Sequence, residues 1–537
     1  MRPTDITRHV RARILEPDVA VTTHDEVQAT YTLEQAQAEV RRAIDAGFDL
    51  DAASAGCPFK VDIPAYFQKI AEGDVDGALA IIRRSHPFPS IFGRMCHMFC
   101  QEATPPLEDV GVPWEEWRPP EWDLAPEYGA ERGWNARRGT PPVTDGEPVR
   151  SDAEPAAKPR LGWSAVAGTI RGAGHGSGIP GGRGIERPAF LLLERFAGDY
   201  GDPALSPVVA ERPTSGKRVA VIGAGSGGLA NAWMLRRLGH DVDIYDQLSV
   251  PGGTLFAGYP AHRMAKFGVR RDNDPTSWGA RFFGGRRLNK ADMEAIIAEY
   301  DLTFLSVGEF DPRMVGIPGE DAIGVWNALF FIAEVGYGRT PVEGGRCIIL
   351  GAGHTATDTA HVARRLGCDI KIFYRRGLDE MPIDDADPRE YVNRMSEDGI
   401  EYHFLAQPVR ILADEANRVR GVEFVRTRLG EPDASGRRSP HPVPGSNFVI
   451  DCEVVVEAVG ESIDPASIPD SVETEDGLVR VDRHDHRTSN PKVFAGGDVI
   501  GDRGNDGAAL AGIQAALTMD SVLRAEPIVL SDGRALR

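Results

Sequence analysis

Residues Lys217–Gln247 read KRVAVIGAGSGGLANAWMLRRLGHDVDIYDQ. A short β-branched run meets Gly223, Gly225 and Gly228, then a helical pattern, then a second apolar run that closes on Asp246. The first glycine permits a tight turn, the second lets backbone approach a pyrophosphate, and the third lets helix pack on strand. Asp246 stands where a carboxylate would take a ribose hydroxyl. Strand, helix, second strand and terminal acid fall in one register, so the stretch predicts a dinucleotide-binding Rossmann unit.

A second unit of the same kind lies downstream, GRCIILGAGHTATDTAHVARRLGCDIKIFYRRGLDEMP, residues 345–382. Gly351 and Gly353 repeat the turn, His354 and Thr355 open the helix, and Ala356 replaces the third glycine. Its second strand ends in Tyr374-Arg375-Arg376 with no acid. A carboxylate there would repel a 2′-phosphate, whereas a guanidinium grips one through two bonds. The first unit therefore reads as FAD-binding and the second as NADPH-binding; the alternative is that both arginines are solvated loop charges. The expected fold class is α/β, a two-dinucleotide-binding flavoprotein with the NADPH domain inserted in the FAD domain.

Later segments agree. DLTFLSVGEFDPR and CEVVVEAVGESID are apolar strands ending near Gly308 and Gly460, where the chain can cross between domains. Gly496, Gly497 and Asp498 precede a helix rich in small residues, a natural carboxylate and helix start for the FAD ribityl and phosphate.

The remaining sequence is divided sharply. From Tyr31 to Arg84 apolar residues recur at helical spacing, a small helical module. Pro105 to Pro188 is rich in Pro, Gly, charge and tryptophan (Trp114, Trp117, Trp122, Trp134, Trp163), with no sustained period: a linker, or an arm whose tryptophans anchor a partner or second subunit. The expected organisation is 1–104 helical module, 105–188 arm, 189–214 return helix and linker, 215–308 and 461–537 FAD domain, 309–460 NADPH domain.

Composition removes several function classes. In 537 residues, Asp and Glu outnumber Lys and Arg by 80 to 60, a field that repels nucleic acid and anionic lipid. No apolar run is long enough to span a bilayer and the first residues lack a signal-peptide core, so a cytoplasmic protein without membrane insertion is expected. Six cysteines in such a chain make no disulfide framework; specialised ones bind metal or do redox work. Cys347, Cys368 and Cys452 have no C-x-x-C partner and read as ordinary thiols, against a redox-dithiol mechanism.

The residues resemble a known family, the small subunit of NADPH-dependent glutamate synthase and its relatives, including the N-terminal part of dihydropyrimidine dehydrogenase. The resemblance covers most of the chain. It rests on GCPFKVDIPAYFQKIAEGDVDGALAIIRRSHPFPSIFGRMC, LLLERFAGDYG, PGGTLFAGYPAHRM, LGAGHTATDTA, FYRRGLDEMP, GRRSPHPVPGS and VFAGGD. It implies NADPH-to-FAD hydride transfer, then single electrons through iron–sulfur clusters in the N-terminal domain to a protein acceptor subunit. It also places Pro251, Gly252, Gly253 and Arg263 along the flavin and Glu380, Met381 and Pro382 near the nicotinamide. The 105–188 insertion has no counterpart in the family, and 266–288 looks shortened.

Family members typically hold a pair of [4Fe-4S] clusters with interleaved ligands. The cysteines of one are absent here: RRAIDAGFDLDAASA and Thr104 stand in their place. The resemblance therefore implies loss of that cluster. For the other it implies Cys57, Cys96 and Cys100 as ligands, with Glu194 as the fourth. Three alternatives stand beside this reading: a zinc site of the three cysteines with His97, buried thiols left from a lost cluster, and a cluster-free flavoenzyme acting on a small molecule or quinone. A fourth makes the chain an assembly scaffold. No acid–base pair is singled out, since cofactors carry a hydride transfer.

Overall fold

The computed structural model describes residues 10, 12–13, 26, 28–96, 100, 103, 107–108, 184–185, 187–208, 210–383, 387–433, 436–502, 504–526, 528–529 and 535–536. Most of the arm, with its five tryptophans, lies outside them, as do His97 and Thr104; Leu107–Glu108 pairs antiparallel with Gly184–Ile185.

The N-terminal module packs short helices: α1 (Leu33–Asp45), α2 (Leu50–Gly56), α3 (Ile63–Glu72), α4 (Val75–Ile82), α5 (Pro89–Met95) and, after the arm, α6 (Phe190–Tyr200). The first four starts have a local cause. Thr32 closes a capping box with Gln35, and Asp49, Asp62 and Asp74 accept the free N–H groups of the next three helices. α6 returns to the module because two glycines let it touch α5 backbone to backbone. A Cβ on Gly93 would lie 2.3 Å from the Arg195 nitrogen, and one on Gly198 2.3 Å from that of Ser90.

A buried ion network locks the pair. Arg94 on α5 bonds both oxygens of Asp199 at 2.8 Å, and Arg195 Nη2 reaches Glu26 at 2.9 Å and the Gln28 carbonyl at 2.7 Å. Burial pushes Asp199 up, but the two arginines outweigh it and hold the carboxyl at about 2.

The first Rossmann half is a five-stranded parallel sheet built from β1 (Arg218–Ile222), β2 (Asp241–Tyr245), β3 (Arg281–Phe283), β4 (Leu302–Leu305) and β14 (Val493–Ala495). Its order is β14-β4-β1-β2-β3, covered by α7 (Ser226–Arg237) and α10 (Asn505–Arg524). The burial pattern of β1 and β4 is continuous, as expected of strands covered on both faces. Between β4 and β14 the chain builds the second half, a parallel sheet of β5 (Val325–Asn327), β6 (Gly345–Leu350), β7 (Cys368–Phe373), β8 (Ile400–His403) and β13 (Val454–Glu457). Its order is β8-β7-β6-β13-β5, with α9 (His354–Arg365) following β6.

An antiparallel sheet of β9 (Ala406–Ala413), β10 (Val419–Pro432), β11 (Arg438–Pro442) and β12 (Phe448–Asp451) is appended to this half. The outgoing and returning connections pair with each other, Asp311 opposite Ser462 and Pro312 opposite Glu461, beside Gly308 and Gly460. Between the halves, α8 (Lys266–Asp272) also meets the N-terminal module: Asp272 accepts the Ile91 N–H at 2.9 Å. Among the described residues no helix is long and apolar enough to cross a membrane.

Candidate functional site

The β1 turn builds the first cleft. Gly223 (φ 104°) lies so near β4 that a Cβ would fall 2.1 Å from the Ser306 carbonyl oxygen. A Cβ on Gly228 would lie 1.9 Å from the Gly223 oxygen, whereas Gly225 has open space around it. Two glycines of the motif are thus demanded by packing and the middle one by whatever approaches the turn. Gly223, Gly225, Asp246, Gly253, Gly308, Gly497 and Asp498 line this continuous cleft at the sheet's carboxyl edge.

Asp246 Oδ2 takes the Ala224 N–H at 2.6 Å and Oδ1 the Leu248 N–H at 2.7 Å; burial nevertheless raises its carboxyl to about 6. Ser306, Phe310, Arg286, Arg287 and Asn505 line the cleft as well, and sequence reasoning missed them. Only Asn505, a polar residue at a helix start, left a sequence signal; the others arrive from loops after β3 and β4.

Two residues expected along the flavin have partners within the protein. Gly252, with φ 128°, donates its N–H to the Ala224 carbonyl at 2.8 Å and so holds the loop under the turn. Arg263 is spent between the halves: Nη1 reaches both oxygens of Asp358 on α9, at 2.7 and 2.6 Å. Beside this pair His262 and His361 meet edge to face with centroids 5.9 Å apart, and burial with Arg365, Arg263 and Arg364 lowers His361 to about 3, so it is neutral.

In the second unit Gly351 and Gly353 form the turn before α9, and a Cβ on Gly353 would touch Pro382 at 3.4 Å. Ala356 is fully buried, as its packing role requires, and the His354 ring faces Tyr391 with centroids 6.2 Å apart. Thr355 passes its carbonyl to the Thr359 hydroxyl at 2.7 Å. The expected arginine pair is divided. Arg375 is exposed at the end of β7, but Arg376 is buried, donating to the Arg438 carbonyl at 3.0 Å and pairing with Asp433 in the β10–β11 hairpin. A one-residue step along an extended chain turned Arg376 inward. Glu380 and Met381 are likewise buried, Glu380 paired with Arg438, and only Pro382 reaches the surface beside the turn.

The third site lies in the N-terminal module. Cys57, Cys96, Cys100 and Glu194 line one cavity together with Phe59, Tyr66, His86 and Phe92. Cys57 and Cys96 are the residues on which α2 and α5 stop, and the α5–α6 crossing sets Glu194 opposite them. Lys60 adopts φ 55°, rare for a side-chain-bearing residue, its N–H bonds the Cys57 carbonyl at 3.0 Å, and the backbone dipoles of Phe59, Lys60 and Val61 act to favour the ionised Cys57 sulfur. Burial is still stronger and, with the Glu194 charge, leaves the Cys57 thiol raised.

Glu194 Oε1 is buried without a hydrogen bond. A pocket of thiols and an unsatisfied carboxylate lacks a positive charge, which fits an iron–sulfur cluster. Among the described residues no three His, Cys, Asp or Glu side chains converge as ligands of a single metal ion. A zinc ion needs its ligands within about 2.3 Å of one point, while a cluster spreads them over its corners. Cys347, Cys368 and Cys452 are buried and remote in the fold from this cavity, in or beside β6, β7 and β12.

Residues 217–519 match the family described as pyridine nucleotide-disulphide oxidoreductase. The chain belongs to that family. Residues 20–104 match a second description, "Dihydroprymidine dehydrogenase domain II, 4Fe-4S cluster". FAD and NADPH are therefore the cofactors of the two Rossmann halves, and the N-terminal module is of [4Fe-4S] type.

Among curated relatives, the glutamate synthase [NADPH] small chain of Escherichia coli is 34% identical over 58% of this chain and 70% of its own length. The NADP(+)-dependent formate dehydrogenase subunit beta of Moorella thermoacetica is 31% identical over 87% of this chain and 59% of its own. The NADPH-Fe(3+) oxidoreductase subunit beta of Geobacter sulfurreducens is 31% identical over 78% and 52%. The chain thus spans little more than half the length of these last two oxidoreductases.

Proposed function

We propose that the chain is an NADPH:acceptor oxidoreductase, the electron-input component of a larger assembly in which a protein subunit accepts the electrons. When bound, NADPH, FAD and one [4Fe-4S] cluster supply the chemistry, a hydride transfer followed by single-electron transfers. The observation that carries the reading is that Cys57, Cys96, Cys100 and Glu194 line one cavity in a chain that also holds both nucleotide units. A flavoenzyme with no relay needs no such set.

Each part has residues suited to it. Gly223, Gly225 and Gly228 shape the turn that receives the FAD pyrophosphate, Asp246 takes a ribose hydroxyl, and Asp498 with Gly497 and Gly308 lines the other side of the cleft. Gly351, Gly353, His354, Thr355 and Ala356 form the NADPH turn, and Arg375 holds the 2′-phosphate. Gly460 gives the chain its left-handed bend (φ 102°) where it leaves the second half. Arg263 and Asp358 keep the halves in register, so orientation of one nucleotide against the other is set by an ion pair between domains. The partner is a protein because the relatives above are named as subunits or chains of larger enzymes.

Protein purified without air tests this directly. About four irons and four acid-labile sulfides per FAD, and flavin bleaching by NADPH much faster than by NADH, are expected. Full FAD with no iron sinks the relay and leaves a flavoenzyme acting directly on its substrate. Arg375→Ala should raise KM for NADPH by roughly 10- to 100-fold, the worth of charge-assisted bonds, while KM for NADH stays put. Equal losses with both nucleotides would show that Arg375 is not the phosphate contact.

A further inference from the structure

Beside Glu194 stands a residue to which the sequence assigned no role. His86 is 1% exposed, its ring packed in a triangle with Phe59 and Phe92, centroids 5.1 and 5.0 Å away. Its two nitrogens face different partners. Nδ1 accepts the backbone N–H of Phe88 at 3.2 Å, and Nε2 lies 3.3 Å from Glu194 Oε1, the buried oxygen that lacks a hydrogen bond.

These two contacts decide between roles. To ligate iron, Nε2 must present a lone pair, which in a neutral imidazole puts the proton on Nδ1. That proton would point at the Phe88 N–H, donor against donor. With Nδ1 as acceptor, Nε2 carries the proton and is a donor 3.3 Å from the carboxylate oxygen, near it but not bonded to it. A flip of the ring would put carbon where Nδ1 and Nε2 now stand and lose both contacts.

We propose that His86 is a positioning residue for the cluster: its Nε2–H, 3.3 Å from the unbonded Oε1 of Glu194, closes on that oxygen when the carboxylate turns to the cluster, leaving the other oxygen as the single oxygen ligand to iron. The inference rests on the cluster reading above and deepens it. A carboxylate has two oxygens that compete for a metal, and it swings about its terminal bond; a donor on one of them fixes which binds and from what direction. Thiolate ligands have no such ambiguity, so His86 matters only because the fourth ligand is Glu194.

The test uses the full chain, purified without air, in four forms: wild type, His86→Phe, His86→Gln and Glu194→Cys, with His86→Phe also placed on Glu194→Cys. His86→Phe keeps an aromatic ring against Phe59 and Phe92 and removes the donor; His86→Gln returns an N–H near the same place. The readouts are iron per FAD, the rate of iron loss to a chelator, and the EPR spectrum of the reduced protein, with FAD content and flavin bleaching by NADPH as folding controls. His86→Phe is expected to lose iron about tenfold faster and to change the EPR lines, His86→Gln to stay near wild type, and His86→Phe to add nothing on the Glu194→Cys background. A wild-type spectrum and rate in His86→Phe overturns the proposal while the cluster stands. Equal damage by His86→Phe on both backgrounds overturns it too, because the histidine is then only packing. Wild-type protein with full FAD and no iron removes the cluster, and this inference with it.

Discussion

Gly228→Ala should leave the protein with less than about a tenth of its FAD, and Gly225→Ala should not disturb the fold at all. The difference lies behind the turn. A methyl on Gly228 would sit 1.9 Å from the Gly223 oxygen and 3.1 Å from Val221 Cγ1. Gly223 has little room to retreat, since even a methyl on its own α-carbon would fall 2.1 Å from the Ser306 carbonyl oxygen. The start of α7 must move instead, and there a second restraint operates: α10 crosses α7 so closely that a Cβ on Gly512 would fall 2.1 Å from the Gly227 oxygen. Overpacking of this kind costs about 3 kcal/mol or more and shifts the helix start that receives the pyrophosphate.

Gly225 has nothing within 4 Å, and its φ of −74° suits alanine. Its methyl meets only the ligand, so weaker FAD binding with unchanged thermal unfolding of the apoprotein is expected. FAD per chain from the visible spectrum, and melting of flavin-free protein, separate the two. Full FAD in Gly228→Ala would mean that the helix yields where the packing says it cannot.

The second large effect separates the halves of the molecule. Cys57→Ala should reduce iron from about four per flavin to below about one, with FAD content and flavin bleaching by NADPH unchanged. Cys57 caps the end of α2 beside the strained Lys60, and its thiol lines the cavity with those of Cys96 and Cys100. The nucleotide clefts are built from other elements, so loss of the thiolate stops at the module. Electron delivery to an external one-electron acceptor should fall with the iron. Unchanged iron in Cys57→Ala would remove this residue from the ligand set and the cavity from the relay.

Much of this architecture was legible in local sequence, for a physical reason. A Rossmann turn is made by residues within about thirty positions, and one of its glycines is forced by a neighbour in the chain, Gly228 against Gly223. The cysteines of the cavity carried a motif spacing that resembled a family. What sequence could not supply were choices made between distant elements. Arg375 and Arg376 are adjacent and chemically alike, and only the return of the β10–β11 hairpin, with Asp433 and the Arg438 carbonyl, draws one inward and leaves the other in solvent.

Arg263 carried a motif for the flavin and is held by Asp358, 95 positions on, because the inserted domain folds back against the first. His86 was assigned no role, since a lone histidine in an apolar run is unremarkable until α6 brings Glu194 to within 3.3 Å of it. The sequence by itself determined the fold class, both nucleotide turns and the thiols, all of which depend on backbone conformation or residue type over short spans. The tertiary structure alone decided which charged side chains face ligand and which face each other, because a buried charge must find its partner wherever the chain happens to place one.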